Sequence, residues 1–276
     1  LKTNQLVALL LCIGIATAAC TDTETTSATT DGNTTEVAIP AINYGVVATH
    51  PHDVTAFTEG LQMHEGKLYE STGSPVEMPQ ARSLIGEVDL KTGQLQKKVE
   101  LDRTKYFGEG AVFLNGRLYQ LTYTTKVGFV YDALTFKPLG TFTFPSKEGW
   151  GLTTDGTHLI MSDGTAALTY LNPQTFQVVK TVQVTDDHGA LTNLNELEYV
   201  RGFIYANVYT TATIVKIDPQ TGQVVGRMDL SPLQQDAKAK NPKALEMNGI
   251  AFDSTANSLY ITGKFWPILY EIKVPM

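Results

Sequence analysis

The chain is poor in cysteine: its 276 residues contain two, Cys12 and Cys20, both close to the N-terminus. From Thr21 onward it therefore can form no disulfide, offers no thiol nucleophile and cannot hold thiolate-bound zinc. Basic charge is also short, with 21 Lys and Arg against 28 Asp and Glu for a formal charge of −7. A surface of that sign repels phosphate, so nucleic acid is not an expected partner. The longest apolar run, Leu6–Ala19, has 14 residues, too few for a membrane-spanning helix, which needs roughly 20. Histidine is sparse: His64, His158 and His188 are scattered, and His50 and His52 flank Pro51. Two histidines without further neighbouring ligands read as surface residues rather than a metal site.

The apolar run follows Lys2 and ends in the small residues Ala18 and Ala19, immediately before Cys20. That arrangement is the form of an export signal, and a cysteine at this point resembles the cleavage box of bacterial lipoproteins. Residues 1–19 are expected to be a signal peptide and Cys20 the lipid-bearing residue, with the protein exported to the periplasm or cell envelope. Contact with the membrane is then expected only through that anchor. The following segment, 20–38, holds eight threonines between Thr21 and Thr35 with several acids and no aromatic residue. It cannot bury enough surface to fold and reads as a solvated tether. The folded body is expected over 39–276.

The body repeats. Strand-like segments beginning at Lys67, Arg117, His158, Phe203 and Ser258 are each preceded by a short segment anchored at Gly60, Gly110, Gly151, Leu197 or Gly249, spaced 50, 41, 46 and 52 residues apart. Each unit continues into a third alternating segment, and four of the five turn through motifs such as Lys91-Thr-Gly93 or Pro219-Gln-Thr-Gly222 into a fourth. The fifth unit ends after its third segment, whereas Tyr44–Thr49 has strand alternation and no repeat of its own. Four strands per unit and a missing strand supplied from the other end of the body predict an all-β, five-bladed β-propeller closed by its N-terminal strand. Closure removes the exposed sheet edges that an open ring would leave. Gln234–Lys243, between the fourth and fifth units, reads as a surface loop or short helix.

A propeller directs the start of each unit's first strand toward its central channel. The residues beside the five anchors, Glu59, Glu109, Trp150, Glu196 and Asn248, are accordingly expected at one end of it. Buried polar groups there need partners or a ligand, and neighbouring carboxylates raise one another's pKa into the range useful for acid–base work.

Several motifs in this body occur in a recognisable order: Phe57-Thr-Glu-Gly-Leu61, Glu70-Ser-Thr-Gly73, Tyr106-Phe-Gly-Glu-Gly110, Gly149-Trp-Gly-Leu152, Leu194-Asn-Glu-Leu-Glu-Tyr199, Asn248-Gly-Ile-Ala251 and Thr262-Gly-Lys-Phe-Trp-Pro267. The chain thereby resembles the plant-type glutaminyl cyclases over essentially the whole body. The resemblance implies a five-bladed propeller that converts N-terminal glutamine of peptides or proteins to pyroglutamate with release of ammonia, and needs neither metal nor cofactor. It further implies Glu109 as the proton shuttle, Lys264 and Asn195 as polar stabilisers, and Phe57, Glu59, Trp150, Tyr123, Tyr209, Glu196 and Asn248 around the substrate. The plant enzymes commonly carry Gln in place of Glu59 and Trp in place of Tyr123 and Tyr209, and a shorter turn in place of Ser74–Ala81. Two other readings stay open: a catalytically inactive peptide-binding propeller, and a calcium-dependent propeller hydrolase. A monomer is expected.

Overall fold

The computed structural model describes residues 38–275. The expected signal segment, Cys20 and all of the tether except residue 38 lie outside the described residues.

The chain opens with strand β1 (Gly45–Pro51) and then lays down four-stranded antiparallel meanders. The first comprises β2 (Thr58–His64), β3 (Lys67–Thr72), β4 (Leu84–Val88) and β5 (Leu95–Glu100). The second comprises β6 (Gly108–Leu114), β7 (Arg117–Thr122), β8 (Val127–Asp132) and β9 (Pro138–Thr143). The third has β10 (Leu152–Thr154), β11 (Leu159–Met161), β12 (Ala167–Leu171) and β13 (Val178–Gln183), followed by a small hairpin, β14 (Thr185–Asp186) and β15 (Gly189–Ala190). The fourth has β16 (Leu194–Val200), β17 (Phe203–Val208), β18 (Thr213–Ile217) and β19 (Val224–Asp229). Helix α1 (Ser231–Lys240) leads to β20 (Met247–Asp253), β21 (Ser258–Gly263) and β22 (Ile268–Lys273).

The first strands of the five units touch in cyclic order, β2 against β6, β6 against β10, β10 against β16, β16 against β20 and β20 against β2. These are the inner strands, and their residues are mostly buried, whereas the last strands β9 and β13 are mostly exposed. The result is a five-bladed propeller. Its apolar core lies between neighbouring blades: Tyr205, Ile214 and Met228 of the fourth meet Ile250, Ile261 and Tyr270 of the fifth. Helix α1 inserts Leu233 and Ala237 into the same cluster, so the segment between blades four and five is helical because it has an apolar cleft to cover.

Four blades turn from third to fourth strand in the same way. The side chains of Asp89, Asp132, Asn172 and Asp218 each accept a hydrogen bond from a backbone N–H two or three residues on. Short acceptor side chains at this position make the turn locally, which is why its motif repeats in the sequence.

The fifth sheet has the order β1-β22-β21-β20, with Thr49 opposite Tyr270, His50 opposite Leu269 and Pro51 opposite Ile268. The N-terminal strand is therefore the outer strand of the last blade. Pro51, which has no N–H to donate, stands at the end of this outer strand, a position where proline is tolerated. Upstream of β1, Ile42 donates to Arg227 O and Arg227 donates to Pro40 O, which covers part of the open edge of β19.

Candidate active site

The inner strands share one irregularity. Register slips between Thr58 and Gly60, between Gly108 and Ala111, between Leu194 and Leu197, and between Met247 and Ile250. A bulge breaks the alternation and re-aims the side chains that it contains. It holds Glu59 in blade one, Glu109 and Gly110 in blade two, Asn195 and Glu196 in blade four, and Asn248 and Gly249 in blade five. Blade three has Trp150-Gly151 at the same level, with Gly110 N–H donating to Trp150 O.

This register corrects one expectation. In blade four the residue aligned with Glu109 and Trp150 is Asn195, and Glu196 stands where the other blades have glycine. Glu196 accordingly does not line the pocket: its Oε1 accepts from Leu61 N–H at 3.0 Å and its Oε2 from Ile250 N–H at 2.9 Å, tying blade four to blades one and five. Asn248 is also outside the lining. It is fully buried and donates to Thr58 O at 3.1 Å and to Glu59 Oε2 at 3.0 Å, supporting Glu59 from behind.

The remaining residues singled out from the sequence converge. Phe57, Glu59, Glu109, Tyr123, Trp150, Asn195, Tyr209 and Lys264 line one cavity of about 300 Å³, joined by Phe107, Pro75 and Glu77. Pro75 and Glu77 come from the long β3–β4 loop. That loop is braced by Arg103, whose guanidinium donates to Pro79 O and Pro75 O. A larger groove of about 490 Å³ lies between the outer strands of blades one and two, near Tyr106, Phe129 and Phe136, and contains none of the residues selected above.

At the pocket floor Lys264 Nζ donates to Glu59 Oε1 at 2.6 Å, and it sits 4.3 Å from the Phe57 ring centre and 5.4 Å from that of Tyr209. Lys264 thus lies against the aromatic walls, held by a carboxylate and two ring faces. Burial pushes both Glu59 and Glu109 upward in pKa. For Glu59 the Lys264 ammonium and the Asn248 amide oppose that upward push. Glu109 has no hydrogen bond to its carboxylate among the described residues, and burial together with the charge on Glu59 holds it well above the ordinary carboxylate range.

Amide and aromatic groups complete the walls. Asn195 Oδ1 is buried without a partner, an open acceptor at the pocket wall. Trp150 donates from Nε1 to Glu148 Oε2 at 2.9 Å and meets Tyr209 edge-on at 5.5 Å. Tyr123 stands at the mouth, 36% exposed. Glu148 and Phe107 were missed at the sequence level, whereas Glu77 belongs to the Ser74–Ala81 segment noted there as a departure. Glu148 is two residues from Trp150, a spacing that in a loop implies no contact by itself.

His52 also differs from expectation. It is buried, 5% exposed, with its ring between Trp266 O and the Glu70 carboxylate. His50 is half-buried and within 3.4 Å of Glu271. No group of three or more His, Cys, Asp or Glu is placed to hold a metal ion among the described residues.

Fold and pocket together describe a five-bladed propeller with one cavity that gathers carboxyl, ammonium and amide groups. The chain belongs to the glutamine cyclotransferase family, whose profile matches residues 13–274. It is 40% identical over 232 residues to the glutaminyl-peptide cyclotransferase of Arabidopsis thaliana, a match spanning 83% of this chain and 70% of that protein. Its fold matches the crystal structure of Myxococcus xanthus glutaminyl cyclase with a TM-score of 0.76 at 33% identity, covering 85% of this chain and 98% of that one.

Proposed function

We propose that the protein is a glutaminyl-peptide cyclotransferase that closes N-terminal glutamine of peptides or proteins into pyroglutamate and releases ammonia, with Glu109 as general base and then general acid. The observation that carries this reading is the placement of an unpartnered, buried Glu109 carboxyl beside the Glu59–Lys264 pair in a cavity of about 300 Å³.

The chemistry is intramolecular. The α-amine nitrogen attacks the side-chain carboxamide carbon, forming the ring C–N bond and a tetrahedral oxyanion. Collapse of that intermediate then breaks the bond to the amide nitrogen. No protein nucleophile is needed, in keeping with a body that lacks cysteine. A carboxyl of raised pKa can, in its carboxylate form, accept the amine's proton and then, as the acid so formed, deliver it to the departing nitrogen, the usual work of a general acid–base group. Lys264 and the Nδ2 N–H group of Asn195 supply positive and hydrogen-bonding stabilisation to the oxyanion. The aromatic walls, Phe57, Trp150, Tyr123 and Tyr209, hold the glutamine side chain folded toward its own amine, which lowers the entropic part of the barrier.

The reading includes metal independence, a lipid anchor at Cys20 after export, and action as a monomer in the cell envelope. Its test is ammonia release from a short glutaminyl peptide by the purified protein, with and without chelator. Release that survives chelation and is lost in Glu109→Gln supports it. Peptide binding without release indicates a non-catalytic propeller, and activity restored by calcium indicates a metal-dependent hydrolase.

A further inference from the structure

The mechanism leaves one buried ionisable pair unused. His52 and Glu70 have side chains with no exposure at all and are 3.1 Å apart. Three chain segments meet on them. His52 immediately follows the closing strand β1. Its Nδ1 is 2.8 Å from Trp266 O, in the turn between β21 and β22. Glu70 lies on β3, and its Oε1 accepts from Thr58 Oγ1 at 2.6 Å. Thr58 Oγ1 also lies 3.4 Å from Gly263 O.

The segments held in this way carry the pocket's ion pair. Thr58 adjoins Glu59, and Gly263 adjoins Lys264. The turn that bears Lys264 needs such restraint, because Phe265 has φ 60°, a left-handed conformation costly for a bulky side chain. Phe265 N–H donates to Ala56 O, Asn241 Nδ2 donates to Phe265 O and Trp266 Nε1 donates to Leu245 O. His52 adds a side-chain donor to the same turn.

The proton count follows from the acceptors. A carbonyl oxygen can only accept, so Nδ1 carries a proton, and Nε2 faces a carboxylate oxygen with a second proton between them. Glu70 and Asp53 are the charged groups facing the ring, Glu70 from β3 and Asp53 from its own segment, while the turn presents only a carbonyl. Both acids favour the doubly protonated ring over its burial cost, and the His52 pKa is raised.

We infer that the His52–Glu70 pair is a positioning device that couples closure of the ring to the alignment of Glu59 with Lys264 through its hydrogen bonds to the Trp266 carbonyl and Thr58. Glu70→Gln tests this cleanly. The amide oxygen still accepts from Thr58 and the amide N–H donates to the lone pair of a neutral His52, so geometry is kept and the charge removed. Glu70→Ala removes both.

The experiment compares the wild type, Glu70→Gln, Glu70→Ala and Leu168→Ala, a fully buried residue of blade three that serves as a control for general destabilisation. Two readouts are used: kcat and KM for ammonia release, which rests on the proposed activity, and the rate at which an amine acylating reagent labels Lys264 in the folded protein, which does not. Expected are a kcat about tenfold or more lower in Glu70→Ala, as for a displaced catalytic group, with KM within about twofold. Glu70→Gln stays close to wild type. Lys264 labels severalfold faster in Glu70→Ala alone. Should Glu70→Ala not fold, His52→Gln takes its place. The inference is overturned if Lys264 labels at the wild-type rate in the alanine variant, or if Leu168→Ala at a matched loss of Tm reproduces its effects. A wild type that releases no ammonia removes the cyclotransferase reading alone, and Lys264 labelling then decides this one.

Discussion

Lys264 Nζ lies 2.6 Å from Glu59 Oε1, and the two side chains are 4% and 3% exposed. The ammonium of the pocket is therefore already partnered before a substrate arrives, and it is Glu109 that stands without a donor. Burial and the neighbouring Glu59 charge together displace the Glu109 carboxyl toward its neutral form. The Glu59 carboxyl thus acts on Glu109 through charge.

Glu59→Gln removes a negative charge that raises the Glu109 pKa and leaves the Lys264 charge that lowers it. Only the raising charge is lost, so the Glu109 pKa falls. The acidic limb of the kcat/KM profile is expected to move to lower pH by about one unit, read by ammonia release across the acid range. An unmoved limb would mean that Glu59 and Glu109 are not coupled.

Glu109→Gln keeps the shape of the side chain and removes its ability to take a proton. A kcat lower by about 10²–10⁴ is expected for loss of a general acid–base group, with KM close to wild type. An equal loss from Glu109→Asp and Glu109→Gln would point to lost packing instead of lost proton transfer.

The fold was largely legible because the blades solve the same burial problem with the same run of inner strands, written five times, and four of them with the same Asp or Asn turn into the outer strand. The closing strand could be placed by counting, since β1 has alternation but no unit of its own. The pocket was legible where a repeat phase and a chemical residue type coincide, as at Glu59, Glu109 and Trp150. It failed at Glu196, because a bulge puts two residues opposite one and sequence spacing does not say which of them turns toward the pocket. His52 was misread as a surface residue because its partners, Glu70 and the Trp266 carbonyl, are 18 and 214 residues away, and only ring closure brings them together.

Glu198 gives the protein a pH-dependent stability. It is buried beneath the site, accepts from Phe252 N–H at 2.9 Å, and burial pushes its pKa up to about 8. Since this folded-state value lies above that of the unfolded chain, the native state binds the extra proton between the two, and stability falls as pH rises from the ordinary Glu range toward 8. Tm is expected to decline from pH 5 to pH 8 in the wild type and to decline less in Glu198→Gln. Parallel slopes in the two proteins would show that Glu198 does not titrate in this window.

Gly151 links the packing of the ring to the pocket. It follows Trp150 at the level where neighbouring inner strands come closest, and a Cβ placed there would fall on the Asn195 carbonyl oxygen, far inside van der Waals contact. That carbonyl also accepts from Ser162 Oγ at 2.7 Å, and Ser162 Oγ in turn accepts from Gly151 N–H at 2.8 Å. The obstructing atoms are backbone, so they yield only if blade four moves. Gly151→Ala is therefore expected to lose about 1–3 kcal/mol of stability, as for an overpacked core, measured by denaturant unfolding. It is also expected to lower kcat by displacing Asn195 and Trp150 together, since the contact falls on the Asn195 carbonyl and Trp150 immediately precedes Gly151. Gly140, on the outer strand of blade two with open space around its added Cβ, is the matching control: Gly140→Ala should leave stability and kcat near wild type. If Gly151→Ala behaves like that control, the inner strands of blades three and four are not in the close contact that sets the width of the pocket.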